Sequence, residues 1–262
     1  MKKAITYTTY LQLDQILSAQ QPESDGPEHD EMLFIIIHQV YELWFKQMLH
    51  EIDFLQDRLL NNDQPRALHT LRRLLTILKT VVAQIDVLET MTPLEFNSFR
   101  GFLQSASGFQ SAQFRQLEFA LGHKRPNFLN HFPPDTSAHH QLNQRFQQPS
   151  LWDAFLHYLH NNGYDVPPDH LNRDVTTPIS PSPDIQNLLI NLYHEKENSM
   201  LRLCERLVDL DEGLQEWRYR HIKMIERTIG AKPGTGGSAG ASYLRTTLNP
   251  FFPDLWAIRS QL

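Results

Sequence analysis

The sequence predicts an all-α fold, and three observations carry that expectation. Apolar residues recur at helical spacing through long stretches that hold neither glycine nor proline. Helix start and stop signals fall between those stretches. No alternation of apolar and polar residues, the pattern of a half-buried strand, persists anywhere along the chain.

The elements follow in order. Residues 30–60, DEMLFIIIHQVYELWFKQMLHEIDFLQDRLL, place Leu33, Ile37, Trp44, Met48, Ile52 and Leu55 on a helical repeat. Asn61, Asn62 and Asp63 end that helix, and Pro65 stands where a first helical turn accepts it, opening a second helix over about 66–89. So short a link between long helices implies antiparallel packing. Thr92-Pro93-Leu94-Glu95 is a capping box with proline at the first helical position, and it starts a third helix carrying Phe96, Phe99 and Arg100. FQSAQFRQLEFAL, after Ser107-Gly108, makes a fourth. Residues 122–183 hold nine of the 16 prolines and short helical pieces such as 151–160, and read as a decorated connection over the bundle. Asp184 opens a last helical region, bent or interrupted near 209–213, which ends on Gly230 as a C-cap. No internal repeat is present, and residues 1–262 are expected to form one helical-bundle domain.

Composition narrows the function classes. A chain of 262 residues with 40% hydrophobic and 21% charged residues can bury a substantial core as a soluble globular protein. A formal charge of −6 and the lack of any Lys/Arg run argue against nucleic acid. One cysteine, Cys204, excludes an internal disulfide and a cysteine-based zinc site, and suits a reducing cytoplasm. The opening MKKAITYTTYLQLDQ has two lysines but no apolar stretch behind them, and the strongly apolar run 32–37 is far too short to span a bilayer. A cytoplasmic chain with no membrane partner is expected.

Residues 230–248, GAKPGTGGSAGASYLRTTL, hold five of the 11 glycines within 11 positions. GTGGSA formally matches a dinucleotide-binding fingerprint, but that motif needs a strand before it and a helix after it, and here a helix precedes it. A phosphate-cradling loop would need Lys before a final Ser/Thr, which is lacking. FFPDLWAIRSQL further on is too aromatic for a tail, so 230–245 reads as a flap tied at both ends.

Candidate chemistry is sparse. His38 lies in FIIIHQVYELWF, with Phe34 one turn before it; an imidazole in such a run is usually a satisfied core histidine. His221 lies in WRYRHIKMIERTIG, with Trp217 and Ile225 four residues to either side, and reads equally as a surface or core histidine. Arg100 shares a helix face with Phe96 and reads equally as an exposed ion-pair residue. Together these residues describe an apolar helical pocket with two histidines from distant helices, one arginine and a glycine-rich lid. A bundle of this kind suits a flat hydrophobic cofactor such as haem, held by one neutral imidazole between apolar walls.

HDEMLFIIIHQVYELWFKQMLHEI (29–52), FRGFLQSASGFQSAQFRQLEF (99–119) and RHIKMIERTIGAKPGTGGSAGASYLR (220–245) resemble the tryptophan 2,3-dioxygenase family, as does TYTTYLQLDQILSAQQP (6–22). The resemblance covers most of the chain and is weakest in 122–183. It implies an all-helical homotetrameric enzyme with one haem b per subunit, in a pocket between helices. Such an enzyme inserts both atoms of O2 across the indole C2–C3 bond of L-tryptophan to give N-formyl-L-kynurenine, the first step of tryptophan catabolism by the kynurenine pathway. By the same resemblance His221 is the proximal iron ligand and His38 the distal histidine that hydrogen-bonds the indole N–H. Phe34 packs on the indole, Arg100 pairs with the substrate carboxylate, and Thr235 touches its ammonium and carboxylate. Ser107 lies near the haem edge. Tyr7, Tyr10 and Leu11, within an N-terminal segment 1–25 that packs on a neighbouring subunit, complete that neighbour's pocket. Phe96, beside the carboxylate, replaces a tyrosine common in bacterial members, which removes a hydrogen bond worth about 0.5–1.5 kcal/mol. Two alternatives stay open: a haem oxygenase acting on another indole, and a non-enzymatic haem-binding protein.

Overall fold

An exposed N-terminal segment leads into a hairpin of long helices that frames the molecule. The computed structural model describes residues 4–195, 199–235 and 240–262. Helices α1 (Tyr7–Leu11) and α2 (Leu13–Ile16) bury no residue of their own. Helices α3 (His29–Leu60) and α4 (Gln64–Leu88) pack along their lengths on either side of a three-residue link. Asn62 takes φ +57° there, a left-handed conformation that asparagine tolerates. The Asp63 side chain accepts the Arg66 N–H to cap α4. Ile37, Met48, Ile52, Leu55 and Leu59 of α3 share one core with Leu71, Leu74, Leu78, Val81 and Ile85 of α4, and each such side chain contributes about 1.5–3 kcal/mol by burial.

Helix α5 (Pro93–Arg100) starts on the expected capping box: the Thr92 side chain accepts the Glu95 N–H, and the Glu95 carboxylate accepts the Thr92 N–H. Helix α6 (Ala112–Ala120) starts three residues later than its sequence suggests. Phe109 and Gln110 close a 3₁₀ turn capped by Ser107, and the Ser111 side chain then accepts the Phe114 N–H to begin the α-helix. Helices α7 (Ser137–Phe146), α8 (Leu151–Asn161), α9 (Pro168–Leu171) and α10 (Pro183–His194) follow. Then come α11 (Ser199–Ile229), α12 (Ala241–Arg245) and α13 (Pro253–Ala257).

Two elements differ from expectation. Within the proline-rich stretch, α8 is integral to the bundle: Leu151, Trp152, Phe155, Leu156 and Leu159 are buried in the main core and the helix packs on α3. Its flanking prolines, Pro149 and Pro167, punctuate its ends and leave its apolar interior intact. Helix α11 runs unbroken through 209–213, and the interruption falls instead at Glu195, whose backbone is extended. Gly213 is there for close approach, since a Cβ would lie 2.6 Å from Leu78 Cδ2. Asp211 is there to tie down the C-terminal segment, accepting the Phe252 N–H at 2.8 Å and the Trp256 Nε1–H at 3.0 Å. Gly230, at φ +62°, ends α11 as expected. Among the described residues no strand forms, and no helix is long and apolar enough to cross a membrane.

Candidate functional site

Helices α3, α5, α6 and α11 leave a cavity of about 240 Å³ between them, closed on one side by residues of the glycine-rich stretch. Seven residues singled out in the sequence line it together: Phe34, His38, Phe96, Arg100, Ser107, His221 and Thr235. Tyr7, Tyr10 and Leu11 do not; they stand 75%, 74% and 37% exposed on the N-terminal segment. Residues 236–239 of the expected flap lie outside the described residues.

Helical spacing accounts for the first wall. Phe34 and His38 are one turn apart on α3, their rings 4.1 Å apart. The Phe34 carbonyl accepts a hydrogen bond from His38 Nδ1 at 2.7 Å. A carbonyl can only accept, so Nδ1 carries the proton and Nε2 keeps a lone pair. Burial lowers the His38 pKa, against smaller upward contributions from that bond and from Glu42, so the ring is neutral near pH 7. Phe96 packs behind, tilted at 5.8 Å from Phe34 and edge-on at 5.4 Å from Phe99, and brings no polar group.

His221 faces the same cavity from α11. Burial pushes its pKa down to about 4, helped by the nearby His38 and Arg115. It makes no hydrogen bond to any described residue, so a neutral imidazole lines an apolar cavity with its nitrogens uncommitted. Those are the properties of an axial metal ligand.

The polar end is built from α5 and the following loops. Arg100 Nη2 donates to the Pro233 carbonyl at 2.6 Å, and Thr235 Oγ1 donates to the Ala106 carbonyl at 2.6 Å. These two bonds hold 233–235 against α5 and the 103–108 turn. Gly240 lies at φ +62°, where a Cβ would stand 2.9 Å from the Lys232 carbonyl oxygen, so glycine alone fits.

One group of residues escaped the sequence reading. Glu118, 1% exposed, accepts from Arg115 at 2.6 Å, Arg125 at 2.6 Å and Arg218 at 2.8 Å. Burial alone would raise its pKa, but the three arginines outweigh this and hold it below the usual carboxylate range. Glu118, Arg115 and Arg218 line the cavity, and Arg115 Nε is buried with no partner among the described residues. Three guanidinium groups around one carboxylate leave this end of the cavity positive. In sequence, Arg115 and Glu118 have the spacing of an ordinary surface pair on a helix. The available signal is that Phe114, Leu117 and Phe119 interleave them, so the helix has no polar face to turn outward.

The family profile described as tryptophan 2,3-dioxygenase matches residues 1–165 and 180–262. The unmatched residues 166–179 fall in the proline-rich stretch. A tryptophan 2,3-dioxygenase of Herpetosiphon aurantiacus is 63% identical over the whole of both chains. One of Anaeromyxobacter sp. (strain K) is 55% identical over 99% of this chain and 97% of its own, and one of Bacillus thuringiensis (strain Al Hakam) is 41% identical over 100% and 94%. With the profile matched on both sides of so short a gap and similarity running end to end, this chain belongs to the tryptophan 2,3-dioxygenase family.

Proposed function

We propose that the cavity binds one haem b per subunit and L-tryptophan, and that the chain catalyses insertion of both atoms of O2 across the indole C2–C3 bond to give N-formyl-L-kynurenine. The observation that carries this reading is the pair of neutral imidazoles on one apolar cavity, drawn from helices far apart in sequence. Among the described residues nothing bonds the His221 nitrogens or His38 Nε2.

The residues present fit the cofactor. His221 would ligate the iron, Phe109 and Phe114 would wall the ring, and Ser107 would lie at its edge. The positive Arg115–Arg218–Glu118 cluster, with Arg115 Nε unpaired among the described residues, suits the two propionate groups. When bound, haem supplies the one-electron chemistry that lets O2 react with a closed-shell indole.

This chain's own groups bind and orient the amino acid. Phe34 and Phe96 offer apolar walls to the indole. His38 Nε2 accepts the indole N–H, which fixes the ring edge turned toward the iron. Arg100 keeps N–H groups beyond the one given to Pro233, and its planar fork matches a carboxylate in two parallel bonds. Thr235 offers a hydroxyl to the ammonium and carboxylate. Tyr7, Tyr10 and Leu11 close the pocket of a neighbouring copy in a homotetramer, which accounts for aromatic side chains left three-quarters exposed on one chain.

Reconstituting the chain with haem, reducing it and supplying L-tryptophan in air tests the reading. Haem uptake and N-formylkynurenine absorbance are expected. Turnover of another indole alone would overturn the substrate, and haem uptake with no turnover would leave a binding protein. Two variants test individual roles. His38→Ala should retain haem yet bind or turn over tryptophan about 10-fold less well or worse, since an N–H loses its acceptor. A bis-imidazole spectrum in the wild type, abolished in this variant, would instead make His38 an iron ligand. Deleting residues 1–12 should lower both activity and oligomer stability; a fully active monomer would contradict the crossing of this segment.

A further inference from the structure

Trp217 lies one turn before His221 on α11, and its indole is parallel to the imidazole, with 6° between planes and centroids 5.3 Å apart. The indole is itself fixed. Phe45 meets it edge-on at 5.9 Å and 88°, Tyr41 at 6.2 Å and 62°, and Phe114 packs at 5.0 Å. Trp217 is 8% exposed, so these rings pack closely around it. A metal-bound histidine ordinarily donates its second ring N–H to a carboxylate, a carbonyl or water, and that bond sets the plane of the ring. No described residue offers His221 such a bond. The ring contact with Trp217 takes its place.

We infer that Trp217 is the positioning residue for His221: the caged, stacked indole sets the plane in which the imidazole meets the iron. The inference rests on the haem reading above. It also separates two properties usually supplied together. Orientation comes from a ring face, while no carboxylate among the described residues bonds the imidazole to strengthen it as a donor. The orientation of the imidazole then depends on Tyr41, Phe45 and Phe114, which hold the indole.

The test compares Trp217→Met, which fills volume with a flexible chain, with Trp217→Phe, which keeps a flat ring, in the haem-reconstituted full chain. The readouts are the iron–histidine stretching band of the ferrous protein and the rate of haem transfer to apomyoglobin. Trp217→Met should broaden or split the band and speed haem loss about 10-fold or more. Trp217→Phe should keep one band near the wild-type position. Trp217→Leu serves in the same comparison if the methionine variant does not fold. Leu214→Ala, which truncates another buried residue of α11 away from the cavity lining, should lower thermal stability and leave the band unchanged. An unchanged band in Trp217→Met, or equal changes in the Met and Phe variants, would overturn the positioning role. His221→Ala keeps the two readings apart. If it loses haem while Trp217→Met is silent, only the positioning inference fails; if it retains haem with an unchanged spectrum, the haem ligand itself is misassigned.

Discussion

His221→Ala will purify nearly free of haem, or with a grossly altered Soret band. In the proposed reading a bond from His221 would be the directional contact offered to iron; what would remain is packing from Phe109 and Phe114 and the charge of the Arg115–Arg218–Glu118 cluster. Losing a partner that merely orients a ligand costs about 10- to 100-fold in metal affinity, so losing the ligand itself should cost at least about 100-fold. The change leaves the fold intact, because the imidazole makes no hydrogen bond to a described residue and alanine is the best helix former for the middle of α11. Haem content and helicity measured on one preparation separate the two effects. Unchanged haem content and spectrum would refute the assignment.

Arg100→Ala will largely erase the preference of the enzyme for L-tryptophan over tryptamine, which lacks the carboxylate. Breaking a buried charge pair costs about 3–5 kcal/mol. Arg100 is half-buried, so the lower end applies, about 3 kcal/mol or about 10²-fold in kcat/KM. Phe96 has no hydroxyl to share the carboxylate, so in the proposed reading Arg100 would carry more of that task. The substitution also removes the Arg100–Pro233 bond and loosens 233–235. That second loss reaches Thr235, which shares the carboxylate in the proposed reading, so kcat/KM is measured for both substrates on wild type, Arg100→Ala and Thr235→Ala to separate the two. Simple additivity of the two perturbations would mean that Arg100 does not touch the carboxylate.

Much of the fold could be read from local signals. The α3–α4 hairpin, the Thr92 capping box and the Gly230 C-cap are each decided by residues within a few positions of one another, and each stands where its signal lies. The candidate site was legible through the resemblance: His38, Arg100, Ser107, His221 and Thr235 lie in the stretches that carry it, and the fold brings all five to one cavity. What escaped depends on partners distant in sequence. Gly213 looks like a helix breaker until Leu78 is seen against it, and Asp211 looks like a surface acid until Phe252 and Trp256 are seen bound to it. The Glu118 cluster draws Arg125 and Arg218 from outside its helix, so its buried character is invisible in the spacing of Arg115 and Glu118. Helix α8 was legible as a helical piece over 151–160, but its place in the core was not, because the prolines around it mark boundaries and say nothing of burial.

The most direct test of the proposed reaction is isotopic. The haem-reconstituted ferrous protein is given L-tryptophan under ¹⁸O2 in unlabelled water, and the product is weighed by mass spectrometry. N-formylkynurenine carrying both heavy atoms is the expected result. A singly labelled hydroxylated tryptophan, or N-formylkynurenine with one oxygen drawn from water, would contradict dioxygenation in this cavity.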